Sequence, residues 1–147
     1  MPNLPKPRRR PWQPPRQNNA PQTGRKVKNP FYQTMPWRKF RAGQKEIAIE
    51  QSRKIMEEII KEGKPLPPAF EKLQPLCAEC LKGTPFVKKK YTAARVLDHI
   101  KPINPKDAYN TAGGRFGEPL SPDNVQWLCD THHAKKSGAE HLFHSKR

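Results

Sequence analysis

The chain has 147 residues, of which 33% are hydrophobic and 18 are prolines, and its formal net charge is +16, from 29 Lys+Arg against 13 Asp+Glu. That length admits one domain and is short for two with separate cores, and the low apolar share leaves much of the chain outside any core. The charge balance points to a polyanion as partner, with nucleic acid first, and no stretch is long or apolar enough to span a bilayer.

A core this small usually needs a staple such as a metal or a disulfide. Three cysteines, with a single C-x-x-C pair, fit thiolate metal ligands better than a disulfide framework. The N-terminus has no apolar run of the secretory type, so a cytoplasmic location is expected. A membrane surface would need a basic helix with a broad apolar face, and none is present.

Residues 1–30 hold eight prolines, eight Lys/Arg and no acid, and Arg8-Arg9-Arg10 is the densest cluster. With little to bury and many donors removed by proline, they read as a disordered basic arm. Such an arm serves as a solubilising tail, a salt-sensitive phosphate contact or a nuclear-localisation signal. Residues 31–43 interleave aromatics with bases. Phe31, Trp37 and Phe40 can anchor to a core while Arg38, Lys39 and Arg41 face DNA phosphates, all on one helix.

Residues 44–62 predict an amphipathic helix, with Ile47, Ile49, Ile55, Met56, Ile59 and Ile60 as its apolar side and Gly63 and Pro65 as its stop. It serves packing or a partner. A proline-rich linker follows to residue 75, so 31–75 form a lead segment before a domain over 76–139 and a tail over 140–147. Within that domain, Lys88, Lys89 and Lys90 form a solvated or phosphate-facing run. Residues 94–100 predict a strand ending in Asp98-His99. Residues 101–121, punctuated by Gly113, Gly114 and Gly117, predict a long loop of the kind that is often functional. A second strand is expected over 125–128. A short helix from Thr131 to Ser137 is expected next, capped by Asp130 and stopped by Gly138. The tail, with His141 and His144, is expected to fray into solvent.

Cys77-x-x-Cys80 and Cys129-x-x-His132 are two half-sites of equal spacing. Together they make a Cys3His set of the kind that closes around a structural zinc ion. Zinc there would tie the upstream knuckle to the strand–helix unit and replace missing core. Merely buried cysteines would not call for two half-sites of x-x spacing, and a redox C-x-x-C would leave Cys129 and His132 unexplained. His99 and His133 then remain. Neighbouring helix residues are turned by roughly 100°, so His133 faces away from His132. A hairpin of the two strands under the helix would bring Asp98, His99 and His133 to one side. A carboxylate with an imidazole can hold a hard divalent cation, and a second, neutral imidazole can take a proton from water.

These residues carry a family resemblance. The run Ala94-Arg95-Val96-Leu97-Asp98-His99-Ile100-Lys101-Pro102, the glycine pair, and Asn124-Val125-Gln126-Trp127-Leu128-Cys129 leading through His132-His133 to Lys136 resemble the HNH endonucleases. The likeness covers about residues 77–137. The stretch from Phe31 to Arg41 also resembles the lead of small phage HNH proteins, which are often encoded beside terminase genes. Two features depart from the family pattern. His132 stands where the second knuckle usually has a cysteine, and a long helix and linker (44–75) separate the lead from the first knuckle.

The resemblance implies a small α+β, ββα-metal fold with a structural zinc knuckle, preceded by a helical segment and a basic arm. It implies that His99 is the general base, that Asp98 and His133 hold Mg²⁺ or Mn²⁺, and that Asn124 holds the hairpin loop and orients His99. Arg38, Lys39, Arg41, Lys88, Lys89, Lys90 and Lys136 are the expected DNA contacts. The implied activity is hydrolysis of double-stranded DNA to 5′-phosphate and 3′-hydroxyl ends, with a link to phage packaging and terminase. The reading from another class is a zinc-stabilised DNA-binding module without catalysis.

Overall fold

The computed structural model describes the backbone of residues 29–145 and the side chains of residues 29–140. The basic arm, up to position 28, and the side chains of His141 and His144 lie outside these residues. Asn29 and Pro30, assigned to the arm from sequence, instead open a 3-10 turn over Pro30–Gln33, where the Asn29 side chain accepts from the Phe31 N–H at 3.1 Å.

The described chain holds three α-helices and one two-stranded antiparallel sheet. Helix α1 spans Met35–Lys61, α2 spans Ala78–Lys82 and α3 spans Asp130–Ser145. Strands β1 (Val96–His99) and β2 (Val125–Leu128) pair with Val96 opposite Leu128 and His99 opposite Val125. α3 follows β2 at once. No helix among the described residues is long and apolar enough to cross a membrane.

α1 is longer than its apolar pattern suggested, because the aromatic–basic stretch and the isoleucine-rich stretch are one helix. It starts after Thr34, whose hydroxyl donates to the Phe31 carbonyl at 2.7 Å, with Pro36 in its first turn. Proline is tolerated there because its missing N–H would have been unpaired anyway. It ends as expected at Gly63. That residue takes φ +69°, Lys64 N–H reaches the Ile59 carbonyl at 3.2 Å, and Gly63 N–H reaches that of Ile60 at 3.0 Å. This is a Schellman closure, which favours glycine. The apolar face, however, is displaced. Ala48, Ser52 and Ile59 are buried with Ile55 and Met56 beside them, whereas Ile47 and Ile60 are exposed. A small residue, Ala48, and a serine, Ser52, occupy the central turns of that face. The Ser52 hydroxyl donates to the Gln74 carbonyl at 2.7 Å. The proline-rich connector is therefore a packed strap, with Phe70 buried against Ile59 and Leu76.

α3 also corrects its expectation. It begins at Asp130, a first-turn carboxylate that suits the helix dipole, and runs through Gly138 to Ser145. A glycine inside a helix costs about 1 kcal/mol against alanine. The good helix formers around it, and a Lys136–Glu140 pair at 3.4 Å spanning it, carry the helix on. The tail expected to fray is thus helical to position 145.

Two further clusters fix the hairpin. Phe31 and Trp37 from the lead pack on Leu97 and Ile103. Cys77, Ala94, Leu128 and Cys129 form the other, with Cys77 and Leu128 fully buried. The lead segment is therefore packed on the hairpin. Ile103, Ala108 and Leu120 belong to the same cluster as Phe31, so the 100–124 loop is packed as well.

Candidate functional site

The two ends of the hairpin carry different chemistry. At the Leu128 end, Cys77 leads into α2, Cys80 lies within it, Cys129 follows β2, and His132 sits in the first turn of α3. Their four donor atoms lie within 4.8 Å of one another. His132 Nδ1 is 3.4, 3.5 and 3.2 Å from the sulfurs of Cys77, Cys80 and Cys129, and the Cys80 and Cys129 sulfurs are 4.0 Å apart. A zinc tetrahedron with ordinary Zn–S and Zn–N bonds has edges of about 3.6 Å between S and N and about 3.8 Å between sulfurs. The donors fit it, so this cluster can hold a structural metal such as zinc. The backbone is folded to the same end, with Cys77 N–H on the Thr92 carbonyl at 2.8 Å and Lys90 N–H on that of Cys80 at 2.9 Å.

Three thiols packed this closely resist common ionisation. Burial, then the adjacent Cys77 sulfur, push the Cys80 thiol up to about 11. Burial opposes ionisation of Cys77 too, but backbone N–H groups of Cys129 and Cys80 outweigh it and hold that thiol below its ordinary value. A dication supplies the countercharge that lets all three ionise together.

At the other end, His99 is 3% exposed, with its ring centroid 5.0 Å from that of Trp37 and 5.9 Å from that of Tyr32, both tilted against it. Its Nε2 lies 2.9 Å from the Pro119 carbonyl. A carbonyl only accepts, so Nε2 carries the proton and Nδ1 keeps its lone pair. The Tyr32 hydroxyl, 3.2 Å away, donates to that Nδ1. Burial pushes the imidazole below its ordinary value, against the pull of the Pro119 bond and of Asp98, so it is neutral at pH 7. Burial, reinforced by Asp98 and Glu140, raises the Tyr32 phenol, which keeps it a donor.

Asn124 bridges the mouth of the loop. Its Oδ1 accepts from Lys101 N–H at 2.9 Å, and its Nδ2 donates to the carbonyls of Lys101 and Glu118 at 3.1 and 3.0 Å. Gly117 lies against it. A Cβ there would meet the Asn124 amide and stand 2.6 Å from the Lys101 carbonyl, so only glycine fits. This clamp anchors the segment that brings the Pro119 carbonyl to His99.

Asp98 and His133 line one open groove of about 380 Å³, together with Tyr32, Arg41, Arg95 and Val96. His133 has thus parted from His132, which faces the thiols. Lys136, expected as a DNA contact, has its ammonium paired with the Asp98 carboxylate and the His99 carbonyl. Arg38 and Arg41 border a larger groove beside this one, whereas Lys39, though exposed, borders neither. Lys88, Lys89 and Lys90 are exposed and also lie off both grooves.

Tyr32, Pro119 and the pairing of Lys136 carry no mark in the sequence. Tyr32 is 67 positions from His99, and Pro119 acts through its backbone, so no spacing pattern marked either. No protein-family model, no curated protein and no solved structure matches the chain.

Proposed function

We propose that this protein is a metal-dependent DNA endonuclease of the HNH type, with a ββα-metal core braced by zinc at Cys77, Cys80, Cys129 and His132. The observation that carries the reading is the state of His99: buried, neutral, and fixed with its lone pair on Nδ1 by the Pro119 carbonyl. An imidazole prepared in this way is a general base awaiting a proton. The strand, strand, helix order and the junction of Asp98 with His133 in one groove support it.

In this mechanism His99 Nδ1 takes a proton from water as the water oxygen bonds to phosphorus. The bond from phosphorus to the 3′ oxygen breaks, and that oxygen takes a proton from solvent water, which leaves 5′-phosphate and 3′-hydroxyl ends. The attacking water takes the place of the Tyr32 hydroxyl on Nδ1. Asn124 acts at a distance, by holding the loop that fixes the imidazole. One carboxylate and one imidazole are a donor pair suited to a hard divalent ion, so Asp98 and His133 would hold magnesium or manganese. Such an ion supplies charge stabilisation at the scissile phosphate and the departing oxygen. Lys136 keeps the Asp98 charge balanced until then.

The test is supercoiled plasmid incubated with zinc-loaded protein, with and without Mg²⁺ or Mn²⁺. Nicking by the parent, lost in His99→Ala at unchanged zinc content, is expected. Equal nicking by both proteins overturns the assignment of His99. Tight DNA binding without any cleavage would leave a zinc-stabilised binding module instead.

A further inference from the structure

The larger groove, about 590 Å³, lies between α1, the packed connector and the start of β1. It is bordered by Arg38, Arg41, Lys45, Lys72 and Arg95, and by no carboxylate. Tyr32, Trp37, Arg41 and Arg95 border it and the Asp98–His133 groove alike, so the two are continuous. Arg38, Arg41 and Lys45 are three and four positions apart and therefore share one face of α1. Like charges at that spacing destabilise a helix, so the arrangement disfavours the free protein until an anion covers it. Lys72 comes from a different element, the connector. That wall is held in place by the Ser52–Gln74 hydrogen bond and by buried Phe70. The Trp127 indole N–H is the one buried side-chain polar atom without a partner among the described residues, and Trp127 borders this groove too.

We propose that this groove is the track along which one phosphodiester strand of the DNA leaves the Asp98–His133 site, with Lys45 and Lys72 engaging its phosphates. The sequence marked Arg38 and Arg41 for DNA, but Lys45 lies inside the isoleucine-patterned helix and Lys72 inside a presumed linker. Arg95 adds less, because it shares an exposed ion pair with Asp130 at 3.4 Å. The proposal rests on DNA being the substrate. It assigns the helix and connector, which have no place in the chemistry, to holding the strand.

The experiment measures binding of a fluorescent duplex oligonucleotide against salt concentration, without magnesium or manganese, so that cleavage does not intervene. The Lys45→Ala/Lys72→Ala double variant is compared with Lys54→Ala/Lys61→Ala, which removes the same charge from α1 outside both grooves. Each lost phosphate contact lowers the slope of log K on log salt by about 0.9. The groove pair is expected to lose about 1.8 in slope and to bind several-fold more weakly at low salt, while the control pair keeps the parental slope. Equal effects of the two pairs, or no effect of the groove pair, overturn the proposal. His99-dependent nicking with no groove effect would sink the track alone. A groove-dependent slope without nicking would sink the nuclease reading and leave the track standing.

Discussion

The hairpin is closed at its two ends by unlike means. At the Leu128 end, three sulfurs and one imidazole nitrogen converge within 4.8 Å, and burial and the Cys77 sulfur oppose ionisation of Cys80. At the His99 end, the structure is held by aromatic packing on Phe31 and Trp37 and by the Asn124 bridge. The first end gathers donors that could hold a cation, and the second is tied together by aromatic packing and backbone-directed hydrogen bonds. The difference teaches how a chain with so little apolar material can support a precise site. A metal at the thiols would replace core where the chain is thinnest, and the aromatics Phe31, Tyr32 and Trp37 gather around His99.

Removing the metal should break this asymmetry most. Structural zinc contributes roughly 10–16 kcal/mol of apparent binding free energy in small domains. Chelation, or Cys77→Ser, should therefore abolish cooperative thermal unfolding, read by circular dichroism. An unchanged melting curve after complete zinc removal would show that the thiols are ordinary core. Next in size is Trp37→Ala, which deletes a side chain 4% exposed at the other end. Truncations of this kind cost about 3–5 kcal/mol, and this one should lower the melting temperature while the purified protein still binds one zinc per chain. Loss of zinc in that variant would mean that the two ends are not separable.

Asn124→Ala should cost less, about 1–3 kcal/mol for the unpaired groups it leaves. On the proposed mechanism it should also slow nicking, because the Pro119 carbonyl is no longer held on His99. A parental rate at parental metal affinity would remove Asn124 from the account. The smallest effect concerns pH. The folded His99 value lies below the ordinary 6.5, so folding favours the neutral form. Its contribution to stability is full above 6.5 and is lost as pH falls through the folded value. On the proposed mechanism the active form is also the neutral one. Nicking should therefore hold its plateau down past pH 6.5 and decline only below it, and a midpoint above 6.5 contradicts the burial argument.

The two ends were not equally legible in the sequence. The cysteine cluster could be read from spacing, since x-x intervals place two donors in reach of one ion whatever the rest of the fold does. Asp98, His99 and His133 could be singled out by type and by position on the expected hairpin. What surrounds His99 could not. Tyr32 reaches Nδ1 only because the 3-10 turn and α1 fold the lead onto β1, and the Pro119 carbonyl is supplied by a loop whose path depends on Asn124 and Gly117. Lys136 looked like a surface base because sequence does not reveal that one helical turn past His133 returns to Asp98. Gly138 looked like a stop because the cost of a glycine is local, while the support for α3 comes from the residues around it. The isoleucines of α1 predicted a helix but not its buried face, which Ala48 and Ser52 occupy.

The central claim is that the two jobs divide between adjacent residues, His132 at the thiols and His133 in the Asp98 groove. Zinc content and plasmid nicking measured together on His132→Ala and His133→Ala test it directly. His133→Ala is expected to keep one zinc per chain and the parental melting curve while nicking falls at least about tenfold, the loss that disturbing even the outer partners of a metal site causes, and His132→Ala is expected to lose zinc. A His133→Ala protein that sheds its zinc, or that nicks like the parent, would contradict it.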